Sequence, residues 1–375
     1  MTKTTTQSIA SQSNHKTSNR RQFLAVSALG MTAATASISN AATPQVSQTE
    51  SNIANQLIDS TAQWNDGLAH PIPYQNPPGT GKEKGLALGG GGLILIAFYV
   101  GYFKALRKNN INLADADVVV GTSAGSIFGS MLMSGYLWRL DAEIDLMANF
   151  PKLVSTLLPK IAPNPSQLRA SGMALTAKDA SPSTIQSIGH AALAARNDPN
   201  STQAPEVITK LIGISDWASP NLYTTSNDCY TGQRLVVSHE AGIPMNVACS
   251  ASASLPGGIG PTFLKDRLGM DGGICQTSTH SDVIAGVKKA IVFSLGYGTP
   301  EDIKQGLRTS SLPNTLLDEI KILEAQGAQT KLIVAGLPPG IDHVKSILDP
   351  ALIEPYLKYG HERGLADASD MAKFW

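Results

Sequence analysis

The first clear apolar pattern runs from Lys84 to Leu88 and is short enough for a buried strand; four glycines follow, Gly89 to Gly92. Leu93 to Leu106 then has the length and apolarity of a helix, closing on Lys104, Arg107 and Lys108, where cations suit a helix C-terminus. Asp117-Val118-Val119-Val120 predicts a second, β-branched strand, which meets Gly121-Thr122-Ser123-Ala124-Gly125 and a helical stretch from Ser126 to Ser134. Further strands are expected at 221–225, 234–237, 268–270, 290–295 and 332–335, with helical pieces between most of them. Alternation of this kind predicts a three-layer α/β domain. From about 141 to 219 the chain turns Ala, Ser and Pro rich without a convincing strand, as a helical insertion or cap over a sheet would.

The region before Glu83 reads differently. Arg20-Arg21-Gln22-Phe23-Leu24, a weakly apolar run from Ala25 to Ser39 and the small residues Ser39-Asn40-Ala41 have the three-part layout of a twin-arginine export signal, which predicts an exported, periplasmic or secreted protein. The apolar run is too short and too diluted with Ser, Thr and Gly for a membrane span. Residues 1–41 are thus expected to be signal, 42–82 a polar leader with Pro71, Pro73, Pro77 and Pro78, and 83–375 the folded domain. Gly81-Lys82 is not a phosphate loop, because Glu83 stands where Ser or Thr is required.

Composition narrows the partners. Lys plus Arg and Asp plus Glu both number 29, so no basic field exists to neutralise nucleic-acid phosphates. Charged residues make up only 15% of the chain, a neutral surface that suits an exported or lipid-facing protein. Cys229, Cys249 and Cys275 are too few for a disulfide framework, and no pair has zinc-site spacing; buried free thiols are expected.

Candidate chemistry is concentrated at three places. Gly121-x-Ser123-x-Gly125 between strand and helix is the pattern that holds a serine exposed on a strained turn, at a helix N-terminus that favours developing negative charge. Glycines 90, 91 and 92 remove side chains where backbone N–H groups must approach a substrate oxyanion. They do not complete a dinucleotide fingerprint, since Leu95 stands at its last glycine. Asp271, ending a short strand before Gly272-Gly273, is the candidate base; an ordinary Asp with pKa about 3.9 needs burial or a neighbour to raise it to that task.

Gly89 to Gly92, the Ser123 pentapeptide, Ala251-Ser252-Ala253-Ser254-Leu255-Pro256-Gly257 and Asp271-Gly272-Gly273 stand in an order that resembles the patatin-like phospholipase family, over roughly 84–298. The resemblance implies a three-layer α/β/α fold with a central, mostly parallel sheet, a Ser123–Asp271 dyad in place of a triad, oxyanion donors at Gly90 to Gly92, and acyl hydrolysis of lipid esters with transient membrane contact. It implies no metal and no organic cofactor. One departure stands out: the family's basic residue after the glycines is replaced by the aliphatic run Leu93-Ile94-Leu95-Ile96. The Ala251 to Pro256 block reads as structural, with Ser252 or Ser254 able to donate a hydrogen bond. Phe98, Tyr99 and Phe103 read first as a buried helix face and second as the lining of an acyl pocket.

Two other readings fit the residues. A Ser-His-Asp esterase would take its histidine from His280, His343 or His361, all of which follow Asp271. A silent lipid-binding protein would keep the fold without turnover.

Overall fold

The computed structural model describes residues 66–153, 164–195, 209, 212–258 and 260–375; the expected signal and the first part of the leader lie outside them. Its strands are β1 (Lys84–Leu88), β2 (Val118–Thr122), β3 (Leu222–Asp228), β4 (Arg234–Val237), β5 (Thr262–Leu264), β6 (Arg267–Asp271), β7 (Lys289–Ser294) and β8 (Gln329–Val334). They form one sheet in the order β5-β6-β3-β2-β1-β7-β8, with β4 also paired to β3. The five strands β3, β2, β1, β7 and β8 are parallel, and β4, β5 and β6 join antiparallel. The described helices are α1 (Gly92–Lys108), α2 (Ala124–Met133), α3 (Leu137–Asn149), α4 (Pro165–Thr176), α5 (Pro182–Ala195), α6 (Met245–Ser252), α7 (Pro300–Lys304), α8 (Leu316–Ala325) and α9 (Ile353–Phe374). Each strand expected from the pattern is present. β5 was not expected: three residues with Phe263 exposed are too few to leave a period.

Alternation along the central strands makes the three layers. Leu86, Leu88, Val119, Ile291 and Phe293 point into a core shared with α1, α2 and α9. Ala87, Val118, Val120, Ala290 and Val292 point to the other face, against Ile284 and α8 residues Leu316 and Leu323. The fold is therefore the expected α/β/α arrangement with a mostly parallel sheet.

α1 is buried without a break from Gly92 to Phe103, because α9 covers the side that faces away from the sheet. The two helices touch backbone to backbone: a Cβ at Gly101 would lie 2.1 Å from Leu357 O, and one at Gly360 2.3 Å from Phe98 O. Phe98, Tyr99 and Phe103 belong to this core, stacked among Tyr102, Phe128 and Phe293. They do not line an acyl pocket. Tyr99 Oη instead donates to Gly89 O at 2.9 Å and pins the start of the glycine loop.

A junction in the sheet sets up the site. β4 occupies one edge of β3 over Thr224 to Asn227. The opposite edge carries β2 up to the Thr122–Thr225 pair, then β6 from the Ser226–Asp271 pair onward. β2 and β6 run toward each other along the same edge, and their C-terminal ends meet. The residue after β2 is Ser123 and the last residue of β6 is Asp271.

Two boundaries differ from the sequence reading. Residues 66–82 are part of the domain: Leu68 is buried, Ala69 bridges to Leu235, Asp66 holds Arg267 through two hydrogen bonds, and Tyr74 N donates to Asp282. These partners lie 160 or more residues away, so no local pattern announces them. The insertion begins later than 141, since Asp141 and Asp145 of α3 pair with Arg107 and Lys104 and fix α3 to α1. Beyond α3, α4 and α5 are helical as expected, and no strand occurs among the described residues of 150–219.

Candidate active site

Ser123 sits at φ 51°, ψ −116°, a backbone position that a non-glycine residue occupies only under strain. Its neighbours make the turn possible. A Cβ at Gly125 would fall 1.9 Å from Leu88 O, and one at Gly121 2.5 Å from Gly125 O, so α2 packs directly on the strand ends. The turn is also held from outside: Ser123 N donates to Ser252 Oγ at 2.8 Å, and Ser126 Oγ donates to Ser123 O at 2.7 Å. The Ala-Ser block therefore acts on the site directly, with Ser252 accepting a hydrogen bond where donation was expected. The end of α6 serves both partners, because Asp271 N donates to Ser254 O and Gly272 N to Ser252 O. Replacing Ser252 by Ala leaves the Ser123 amide unpaired. The expected result is a fall in kcat for a p-nitrophenyl ester of about tenfold with little change in KM.

Asp271 is 2% exposed. Its Oδ1 accepts from Gly273 N at 2.7 Å, while Oδ2 has no hydrogen-bond partner. Burial pushes its pKa up to about 6, against the opposing pull of the Ser123 hydroxyl and the Gly273 amide. Ser123 Oγ thus stands close enough to favour the carboxylate without closing a hydrogen bond to Oδ2, as resting catalytic pairs often do.

Both side chains line one cavity of about 60 Å³ together with Gly90, Gly91, Leu255, Cys275, Leu295 and Arg308. The glycine loop divides into two parts. Gly90 packs against Ser123, but its N–H donates to Ser278 O at 3.1 Å, which removes it from the expected set of oxyanion donors. The Gly91 and Gly92 amides have no acceptor among the described residues. Gly92 needs its residue type, since φ is +63° and a Cβ would meet Ile347 O at 2.7 Å. The aliphatic run after it is buried in the core, which leaves no room for a cation there.

None of the three candidate histidines lines the cavity. His280 is fully buried with Nε2 bonded to Gly272 O and Nδ1 facing Arg234; burial, with help from Arg234, pushes its pKa down to about 4, so it is neutral. His343 bonds to Lys304 O, and His361 lies beside Lys108 on the α9 surface. The three cysteines are buried free thiols, as expected. Arg308 had no sequence signal: it stands on a loop with no motif around it.

A parallel-centred α/β/α sheet with a strained serine on a strand-to-helix elbow defines a hydrolase-type α/β architecture. A family model for the patatin-like phospholipases matches residues 86–283, more than half of the chain, and the chain belongs to that family of lipid acyl hydrolases. No curated protein matches it. Among solved structures it is similar to VipD from Legionella pneumophila, with 13% identity, 81% of this chain and 70% of that chain covered, and a TM-score of 0.36. It is also similar to the type III effector protein ExoU, with 20% identity over 76% of this chain and a TM-score of 0.30; the match spans about half of that protein, 54%.

Proposed function

We propose that the protein cleaves carboxylic esters of lipids through an acyl-enzyme on Ser123, with Asp271 as its base. The observation that carries this reading is the carboxylate of Asp271: buried, with Oδ2 unpartnered beside the elbow serine, and with its pKa moved to about 6. Ser123 Oγ attacks the ester carbonyl carbon as its proton passes to Asp271 Oδ2. The carbonyl oxygen becomes an oxyanion and is met by the N–H groups of Gly91 and Gly92. Collapse of the tetrahedral intermediate breaks the bond to the alcohol oxygen, which takes the proton back from Asp271. Water, deprotonated by the same carboxylate, then attacks the acyl carbon; the bond to Ser123 Oγ breaks, Oγ takes the proton back from Asp271, and the fatty acid leaves.

A fluorophosphonate probe tests the first step, because it reports an activated serine whatever the natural substrate. Labelling of the wild type on Ser123, absent in Ser123→Ala, is expected, together with turnover of long-chain p-nitrophenyl esters. An unlabelled wild type with intact fold would leave the silent lipid-binding protein as the better reading.

A further inference from the structure

Among the described residues, the cavity that holds Ser123 and Asp271 is lined by one cation, Arg308. It comes from the segment between α7 and α8, beyond the residues that match the family model. Nη1 donates to Gly298 O at 2.9 Å and Nη2 to Leu312 O at 2.7 Å. Guanidinium carries five N–H donors, and Arg308 takes part in no ion pair among the described residues. The half-buried guanidinium is bonded only to carbonyls; burial depresses its pKa, and the Asp302 carboxylate, which forms no ion pair with it, opposes that shift and offsets part of its charge.

We propose that Arg308 is a specificity-determining residue: it binds an anionic group, phosphate or carboxylate, carried a few bonds from the scissile ester, so that the site favours anionic esters over neutral ones. This rests on the hydrolase reading above for its substrate arm, though not for its binding arm. The two carbonyl bonds hold the planar fork in place while the remaining donors are left for a bidentate anion. Thr309 and Ser310 beside it, and Ser278 in the same lining, add hydroxyl and amide groups suited to the same oxygens.

The test uses the full chain and two variants, Arg308→Gln and Arg308→Lys, with thermal melts to establish that each is folded. Calorimetry with inorganic phosphate and with glycerol 3-phosphate is independent of turnover. Wild type is expected to bind both at millimolar concentration, Arg308→Lys more weakly, and Arg308→Gln not measurably. In the substrate arm, a short-chain diacylglycerol phosphate is compared with the matching diacylglycerol. Its advantage in kcat/KM, expressed through KM, is expected to fall by about tenfold to a hundredfold in Arg308→Gln while neutral-ester turnover changes little.

Phosphate binding equal in wild type and Arg308→Gln, or absent from wild type, overturns the proposal, as does an equal loss on both esters, which would make Arg308 only a clamp for its loop. Binding of inorganic phosphate without preference for the phosphorylated ester would assign the site to free anions and overturn the headgroup role. A wild type that binds phosphate through Arg308 yet is not labelled on Ser123 would instead sink the hydrolase reading and leave the anion site standing.

Discussion

Replacing Asp271 by Asn is expected to lower kcat for a p-nitrophenyl ester by about 10⁴-fold or more, the scale seen when one member of a nucleophile–base unit is removed. The pH dependence identifies the cause. Wild-type kcat/KM should rise with pH through an apparent pKa near 6 and then level, because burial holds the carboxyl protonated below that point and a protonated carboxyl cannot take the serine proton. The Asn variant loses that limb along with the rate. An acid limb that survives in the variant would transfer the role of base to another group.

The same shift has a consequence for stability with the opposite sign. Between the unfolded value of 3.8 and the folded value near 6, the native state holds a proton that the unfolded chain has released, so stability falls as pH rises across that window. Above pH 6 the charged form persists in the fold at a constant cost. The move from 3.8 to about 6 corresponds to about 3 kcal/mol, so Asp271→Asn should be the more stable protein at pH 8 and lose that advantage near pH 4. Denaturant titrations at the two values measure it, and equal stability at both would contradict the burial argument.

The second large effect is purely structural. Gly101→Val and Gly360→Val should each cost about 3 kcal/mol or more and lower Tm by roughly 5–10 °C. The atoms that a new side chain would strike are backbone carbonyls of the facing helix, at 2.1 Å and 2.3 Å, which cannot rotate away. Relief requires α1 and α9 to separate, and α1 carries the glycine loop at its first turn, so esterase activity should fall with stability. Gly172 in α4 serves as the control, since nothing lies within 4 Å of a Cβ there and Ala should be neutral or mildly stabilising. Unchanged melting of the Gly101 variant would mean that the helices do not meet as described.

What the sequence made legible is what is local. Strand, glycine loop and helix at 84–108, strand, elbow and helix at 117–134, and the turn at Asp271 each write their signal within about twenty residues, and all three appear where expected. What stayed hidden depends on register between distant segments. Asp66 and Arg267 meet across 201 residues, Ser123 and Ser252 across 129, and neither pair has a periodic trace. The loss of Gly90 as a donor depends on where Ser278 O comes to rest, which follows from how the chain beyond β6 packs. Arg308 reaches the cavity through two bonds to backbone carbonyls, contacts that any residue type could offer and that no pattern records.

The head-on meeting of β2 and β6 also orders events in time. On the proposed mechanism, a chain emerging from the ribosome completes the Ser123 elbow long before its base exists, for β6 lies more than a hundred residues later and must find the free half of one edge of β3. Contacts of such sequence separation form late, after the local strand-helix units. Until then the serine has no carboxylate beside it, and on that mechanism a half-made chain cannot hydrolyse an ester.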